Sequence, residues 1–244
     1  MGTEPEAGSS RWSASLFIRV GVLAGFLGPP SSLAAQDYKV EVVTGAAPAE
    51  LPAALRGALG DRGLRVSGPV GRPYVELWFR SPVPVAREAS GALAIAYPRL
   101  LPGSLVGVAR FAAPAKDYRN RQIAAGVYTL RYQLHPVDGN HMGVSSQRDF
   151  LLLSPAGDDA SLEPRSFADL NERSRKASGS THPSVWSLVK PDEPPGGGLP
   201  ALVHQEEEQR WVLYATVTTQ PEGGGGVPIT VPIALVVVGH APEA

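Results

Sequence analysis

Apolar and polar residues alternate with a period of two along several long segments of the chain. This period is typical of β-strands with one buried face, because successive side chains of a strand point to opposite sides of the sheet. These segments predict the longest strands of the fold. They cover residues 37–44, 74–80, 126–135, 211–219 and 227–239.

The segment from Ile123 to Leu153 carries the clearest pair of strands. In its first strand, tyrosine and leucine alternate with Thr129, Arg131 and Gln133, which predicts a buried face and a polar face. The second strand, Phe150–Leu153, is apolar throughout and is predicted to be buried on both faces. The connection between them is long for a hairpin and contains the turn signal Asp-Gly.

Shorter apolar runs, bounded by Gly and Pro, predict further strands. The chain has 27 Gly and 24 Pro in 244 residues, which favours many turns and few long helices. About ten strands with such turns predict an all-β fold. We expect a β-sandwich, immunoglobulin-like or jelly-roll-like, with one or two short helices, and a β-barrel is the alternative. The shorter predicted strands cover residues 64–67, 93–97, 104–111 and 185–189.

Helical spacing is confined to two segments. Leucines four residues apart predict a short amphipathic helix within 48–60. A second helix is predicted from Phe167 to Ser178, because Ser166 is a good N-cap and Gly179 follows the end.

The last strand contains Pro228 and Pro232. Proline cannot donate a hydrogen bond to a neighbouring strand, and two prolines four residues apart share one side of the strand. This half of the strand is therefore predicted to lie at an edge or at a point where the chain changes sheets. The apolar half, 233–238, is predicted to be central.

Residues 1–35 have the pattern of an export signal. Arg11 and Arg19 accompany an apolar run, 16–27, and small residues follow it up to Ala35. We therefore expect residues 36–244 to form a single exported domain, periplasmic or extracellular, with an uncleaved N-terminal anchor as the alternative. The chain has no cysteine, which excludes disulfides and thiolate metal sites.

Charge and motifs limit the function classes. The formal net charge is -1, so no basic field is present to bind nucleic acid or an anionic membrane, and no transmembrane span is expected in the mature chain. Phosphate loops, dinucleotide fingerprints, nucleophile elbows and the HExxH metalloprotease motif are absent. We expect a non-enzymatic protein that acts in binding or in envelope structure, with a glycan or a protein as its partner.

Histidines provide one alternative function. His135 and His141 bracket the central turn, Met142 adjoins the second, and His182 follows the predicted helix. Imidazole and thioether groups bind copper, and imidazole also binds zinc, so these four residues are a candidate metal site in the periplasm. The simpler interpretation of His135 is a solvent-exposed or hydrogen-bonded side chain on the polar face of its strand.

Aromatic residues provide the other alternative. Tyr74, Trp78 and Trp211 lie on predicted strands and are candidates for a surface that stacks against sugar rings, as in a glycan-binding module. The competing interpretation is that they pack in the core or on the face of the sheet.

The segments GVYTLRY, DGNHMG and RDFLLL, together with Thr181-His182-Pro183, resemble the recurring pattern of an uncharacterised group of exported bacterial proteins. The resemblance extends to the LWF strand near Trp78 and to the C-terminal VVVGH. It implies export and a β-rich single domain. It transfers no catalytic residue to this chain.

Overall fold

Strands account for 45% of the structure and helices for 10%, as the alternating pattern predicts. The computed structural model describes residues 38–137, 147–191 and 195–240, which all fall within the unit Gln36–Ala244. The strands of these described residues are β1 Lys39–Thr44, β2 Arg62–Ser67, β3 Pro73–Phe79, β4 Val83–Val85, β5 Leu105–Phe111, β6 Ala115–Lys116, β7 Gln122–Ile123, β8 Gly126–Leu134, β9 Asp149–Pro155, β10 Val185–Val189, β11 Ala201–Gln205, β12 Arg210–Pro221 and β13 Ile229–Gly239. The helices are α1 Ala53–Gly57, α2 Phe167–Ser178 and the 3-10 turn Pro69–Gly71.

Ten of the strands form one continuous antiparallel sheet in the order β1-β2-β3-β5-β8-β9-β10-β13-β12-β11. The first and last strands of this order contact each other, so the sheet curls into a nearly closed barrel. Strand β4 lies outside this order and pairs in parallel with β12. The all-β prediction is therefore confirmed, in the form of the barrel alternative.

The interior of the barrel is filled by side chains. A barrel widens as strands are added, so a barrel of this strand number needs bulky residues to fill it. Aromatic and leucine side chains from most strands meet in one buried cluster. The cluster includes Leu77, Phe111, Tyr128, Tyr132, Leu153, Trp186, Leu213 and Leu235.

Strand β8 is buried on both faces, contrary to the prediction of a polar, exposed face. Thr129, Arg131 and Gln133 do alternate with the inward residues, but their side chains are buried. The segment 156–165 crosses this face, and Arg131 donates hydrogen bonds to the backbone oxygens of Ser161 and Glu163. The two faces of β8 alternate as predicted, but a segment from a distant part of the sequence covers the polar face.

Helix α2 confirms its predicted ends. The Ser166 hydroxyl accepts a hydrogen bond from the Asp169 backbone N–H, and Gly179 has left-handed backbone angles at the C-terminus. Helix α1 is shorter than predicted, because only Ala53–Gly57 of the segment is helical. Among the described residues, no helix has the length and apolar character needed to cross a membrane.

The structure also confirms the prediction from the two prolines. Among the described strands, the first half of β13 pairs only with β12, whereas Ala234 and Leu235 in its second half also pair with β10. The prediction of a strand at 93–97 is wrong, because these residues lie in an irregular segment. Strand β11 was not predicted.

Candidate functional site

An irregular segment, residues 86–101, crosses one end of the barrel; we call it the cap and this end the cap end. Asp149 holds the cap in place. Its carboxylate accepts hydrogen bonds from the backbone N–H groups of Ala96 (2.7 Å) and Tyr97 (3.0 Å) and from the hydroxyl of Tyr132 (2.7 Å). Asp149 is only 1% exposed, and burial of a carboxylate without hydrogen-bond partners would cost free energy of folding. The three hydrogen bonds offset this cost. Asp149 is thus a structural residue of the cap end.

Tyr97 fixes the cap to the opposite wall. Its hydroxyl donates a hydrogen bond to the backbone oxygen of Val189 and accepts one from the N–H of Ala234, each at 2.8 Å. Burial raises the pKa of Tyr97 well above its ordinary value. The hydroxyl therefore stays neutral at physiological pH and serves as an anchor between β10 and β13.

A cavity of about 320 Å³ lies between the cap and the hairpin formed by β12 and β13. Arg87 of the cap donates a hydrogen bond to the backbone oxygen of Gly224 in the turn of this hairpin (3.0 Å), which links the two walls. Ile229, at the edge of the cavity, is 48% exposed and marks its opening. The lining is mainly apolar and includes Val85, Ala96, Leu100, Val217, Val231 and Ile233.

The polar side chains of the cavity lining already have protein partners. Thr219 donates to the backbone oxygen of Ile229 (3.3 Å), and Arg99 donates to that of Ala86 (2.9 Å). The Tyr97 hydroxyl binds the backbone atoms of Val189 and Ala234. Such a lining favours apolar groups, since it offers a bound molecule few polar contacts.

His135 and His182, two of the residues predicted as metal ligands, do not meet. His135 follows β8 at the cap end, where its ring stacks on Phe150 with centroids 4.2 Å apart. His182 is exposed and precedes β10 toward the opposite end of the barrel. His141 and Met142 lie outside the described residues. No group of three or more His, Cys, Asp or Glu that could hold a metal ion occurs within the described residues, so the metal site stays a prediction.

Two of the three predicted aromatic residues lie at the end of the barrel opposite the cap, which we call the aromatic end. Tyr38 contacts both Tyr74 and Trp211, with ring centroids 5.7 and 5.6 Å apart. Trp78 is buried elsewhere, against Gly63. The Trp211 ring stacks on His204 at 4.7 Å, and burial raises the pKa of Tyr74 to about 12. These ring contacts are made within the protein, as the packing interpretation expects. Glycan binding stays a prediction.

Asp117 is a further buried carboxylate, and its contacts are structural. It accepts hydrogen bonds from the backbone N–H groups of Arg119, Arg121 and Val185. Burial outweighs these bonds and raises the pKa of the carboxyl above its ordinary value. It ties the turn after β6 to the start of β10.

Sequence reasoning missed the cap-end cavity. The pattern around Tyr97 predicted a strand, and nothing in the local sequence of Asp149 indicates the cap, because Asp149 lies 52 residues from the Tyr97 backbone N–H that it binds. Comparison of the chain with models of protein families, with curated proteins and with solved structures gives no match. The site is therefore interpreted from its own geometry.

Proposed function

We propose that this protein is an exported, non-catalytic binding protein that takes a small apolar ligand into the cavity at the cap end. The observation that carries this proposal is an apolar cavity of about 320 Å³ that opens to solvent beside Ile229. Its size lies at the lower end of the range of about 300–1,000 Å³ found for small-molecule pockets. A ligand with an aromatic ring system or a short aliphatic chain would match the size and the apolar lining of this cavity.

The energetics of the cavity favour such a ligand. Each square ångström of apolar surface removed from water contributes roughly 25 cal/mol, and the lining provides apolar surface on both the cap and the hairpin. Backbone N–H groups of the cap donate to the buried Asp149 carboxylate, and the Tyr97 hydroxyl donates to the backbone oxygen of Val189, so one wall is formed before the ligand arrives. A preformed wall reduces the entropy cost of binding.

The same geometry supports binding rather than turnover at this cavity. General acid–base or nucleophilic chemistry needs a group that reaches the bound molecule and changes its protonation or bonding state. The hydroxyl groups of Tyr97 and Thr219 bind backbone atoms instead. Binding is therefore the role that we assign to the cavity.

Titration with the neutral fluorescent dye N-phenyl-1-naphthylamine tests the proposal. We expect saturable binding with enhanced fluorescence. Ala89 and Ala92 are both exposed alanines of the cap, but only Ala89 lines the cavity. Ala89→Trp places an indole in the opening and should weaken dye binding at least about tenfold, which equals about 1.4 kcal/mol.

Ala92→Trp is the matched control and should bind the dye as the wild type does. Unchanged thermal melting of both variants would show that the fold is intact. Absence of saturable dye binding, or equal binding by the two variants, would contradict the proposal.

A further inference from the structure

The barrel wall has a gap on one side of β12. Strand β11 pairs with β12 at residues 210–214, and β4 pairs with it at 219–221. Between them, Ala215–Thr218 has no strand partner on this side within the described residues, whereas β13 pairs along the opposite side. Four residues of a strand span about 13 Å at 3.3 Å per residue.

Two prolines mark the ends of this gap. Pro200 directly precedes β11, and Pro82 directly precedes β4. Proline has no backbone N–H and cannot extend the hydrogen-bond ladder from either side. The gap is therefore a consequence of the sequence at both of its ends.

Strand β1 forms the other side of the gap. It is the first strand of the sheet and pairs only with β2 among the described strands. Counting antiparallel pairs around the barrel shows that β1 and β12 run in the same direction, while β11, between them, runs in the opposite direction. Arg62 pairs with Thr44 at the C-terminal end of β1, so a segment inserted in the gap with its own C-terminus beside Arg62 would run parallel to both neighbours, as β4 does beside β12.

A cavity of about 340 Å³ occupies the gap. Its apolar lining comes from Val42, Leu64, Phe79 and Val217. Two arginines, Arg62 and Arg80, and one carboxylate, Asp61, also line it, so the charged lining residues sum to a positive value.

Arg62 is the cation available to a ligand. Arg62 is exposed, and its guanidinium has no ion-pair or hydrogen-bond partner within the part of the chain that the structure describes. Arg80 differs, because its guanidinium donates to the backbone oxygen of Leu162 at 3.1 Å.

We propose that this gap binds the C-terminal end of a partner polypeptide in extended conformation. The unpaired backbone of β12 supplies hydrogen bonds, the apolar lining takes a side chain, and Arg62 pairs with the terminal carboxylate. A chain end is required because β11 and β4 close the gap at both ends, so a continuous strand cannot pass through. This site is separate from the cavity at the cap end and is independent of its ligand.

Fluorescence anisotropy with the full chain tests the proposal. The probe is a fluorescein-labelled tetrapeptide, Ser-Val-Thr-Val, with a free C-terminal carboxylate, and the comparison is the same peptide with a C-terminal amide. We expect saturable binding of the acid and at least tenfold weaker binding of the amide. Arg62→Glu should abolish the preference for the acid. Arg72→Glu makes the same charge change at an exposed turn away from the gap and should leave binding unchanged.

Amide hydrogen exchange supplies a second measurement. In the free protein, some amides of Ala215–Thr218 should exchange faster than those of Val212–Tyr214, and saturation with the acid peptide should slow them. No acid binding at 1 mM, equal binding of acid and amide, or equal effects of the two arginine variants would overturn the proposal. Concentration-dependent self-association that competes with the peptide would also overturn it, since the occupant would then be a second copy of this chain.

Discussion

Arg131 shows how a single residue can organise a distant segment. Its side chain is 0% exposed, and its guanidinium binds the Asp159 carboxylate together with the backbone oxygens of Gly103, Ser161 and Glu163. Asp159 also accepts from Thr129 and Arg165. A buried ion pair is stable only when its remaining polar atoms also have hydrogen-bond partners. Segment 156–165 supplies these partners, and it therefore packs over β8.

Asp159→Asn tests this network. The substitution leaves Arg131 buried without its carboxylate, so the free energy of unfolding should fall by about 3–5 kcal/mol at pH 7. Urea denaturation measures the change. Glu163→Gln removes an exposed acid from the same segment and should change stability by less than about 0.5 kcal/mol. Equal stability of Asp159→Asn and the wild type would contradict the assigned role.

The same carboxylate sets a pH dependence. Burial alone raises the pKa of Asp159, but hydrogen bonds from Arg131 and Thr129 outweigh it, so the pKa lies below its ordinary value. A depressed pKa stabilises the folded state above the unfolded value of about 3.9, and this contribution is lost as pH falls through the folded pKa. The stability difference between wild type and Asp159→Asn should therefore shrink on acidification from pH 7 to pH 3.

The cap is the element that creates the candidate site, and a strand was predicted in its place. The apolar run at 93–97 is too short for its period to define a secondary structure. Its irregular conformation is fixed by hydrogen bonds to Asp149 and to backbone atoms of β10 and β13. Helix α2, in contrast, carries its N-cap and C-terminal glycine within its own sequence. Elements with local signals were predicted correctly, and the element held by distant partners was not.

Tyr97→Phe tests the attachment of the cap. Loss of the hydroxyl leaves the oxygen of Val189 and the N–H of Ala234 without this partner, which should cost about 1–3 kcal/mol in unfolding free energy. Amide exchange within residues 86–101 should also become faster. Tyr118→Phe is the control, because it removes an exposed hydrogen bond to the oxygen of Glu208. If both variants behave alike, Tyr97 does not anchor the cap.

At the scale of the whole molecule, the two edges of one sheet come together. Strand patterns predicted the all-β class, but a sandwich and a barrel can share the same strands. The structure is a barrel, because β1 contacts β11 and one core rich in aromatic residues fills the interior. The shortness of β11, with β4 displaced along β12, leaves the gap in the wall.

Export is the prediction that belongs to the whole chain. The apolar run 16–27, followed by small residues, predicts cleavage after Ala34 or Ala35. Mass spectrometry of protein from a fractionated host should find a mature N-terminus there, in the periplasmic or extracellular fraction. Leu23→Arg interrupts the apolar run and should retain the uncleaved chain in the cytoplasm. Recovery of the wild-type chain uncleaved and cytoplasmic would rule out the predicted signal.

The sequence by itself determined the strand-rich class, the faces of most long strands, the ends of α2 and the proline-marked edge of β13. Each follows from interactions between residues close in the chain, such as side-chain alternation, capping and a missing N–H. Only the tertiary structure decided the closure of the barrel, the burial of Arg131, the cap over its cavity and the gap beside β12. These depend on contacts between segments far apart in sequence, where the free energy of burial and hydrogen bonding is shared by partners that no local pattern identifies.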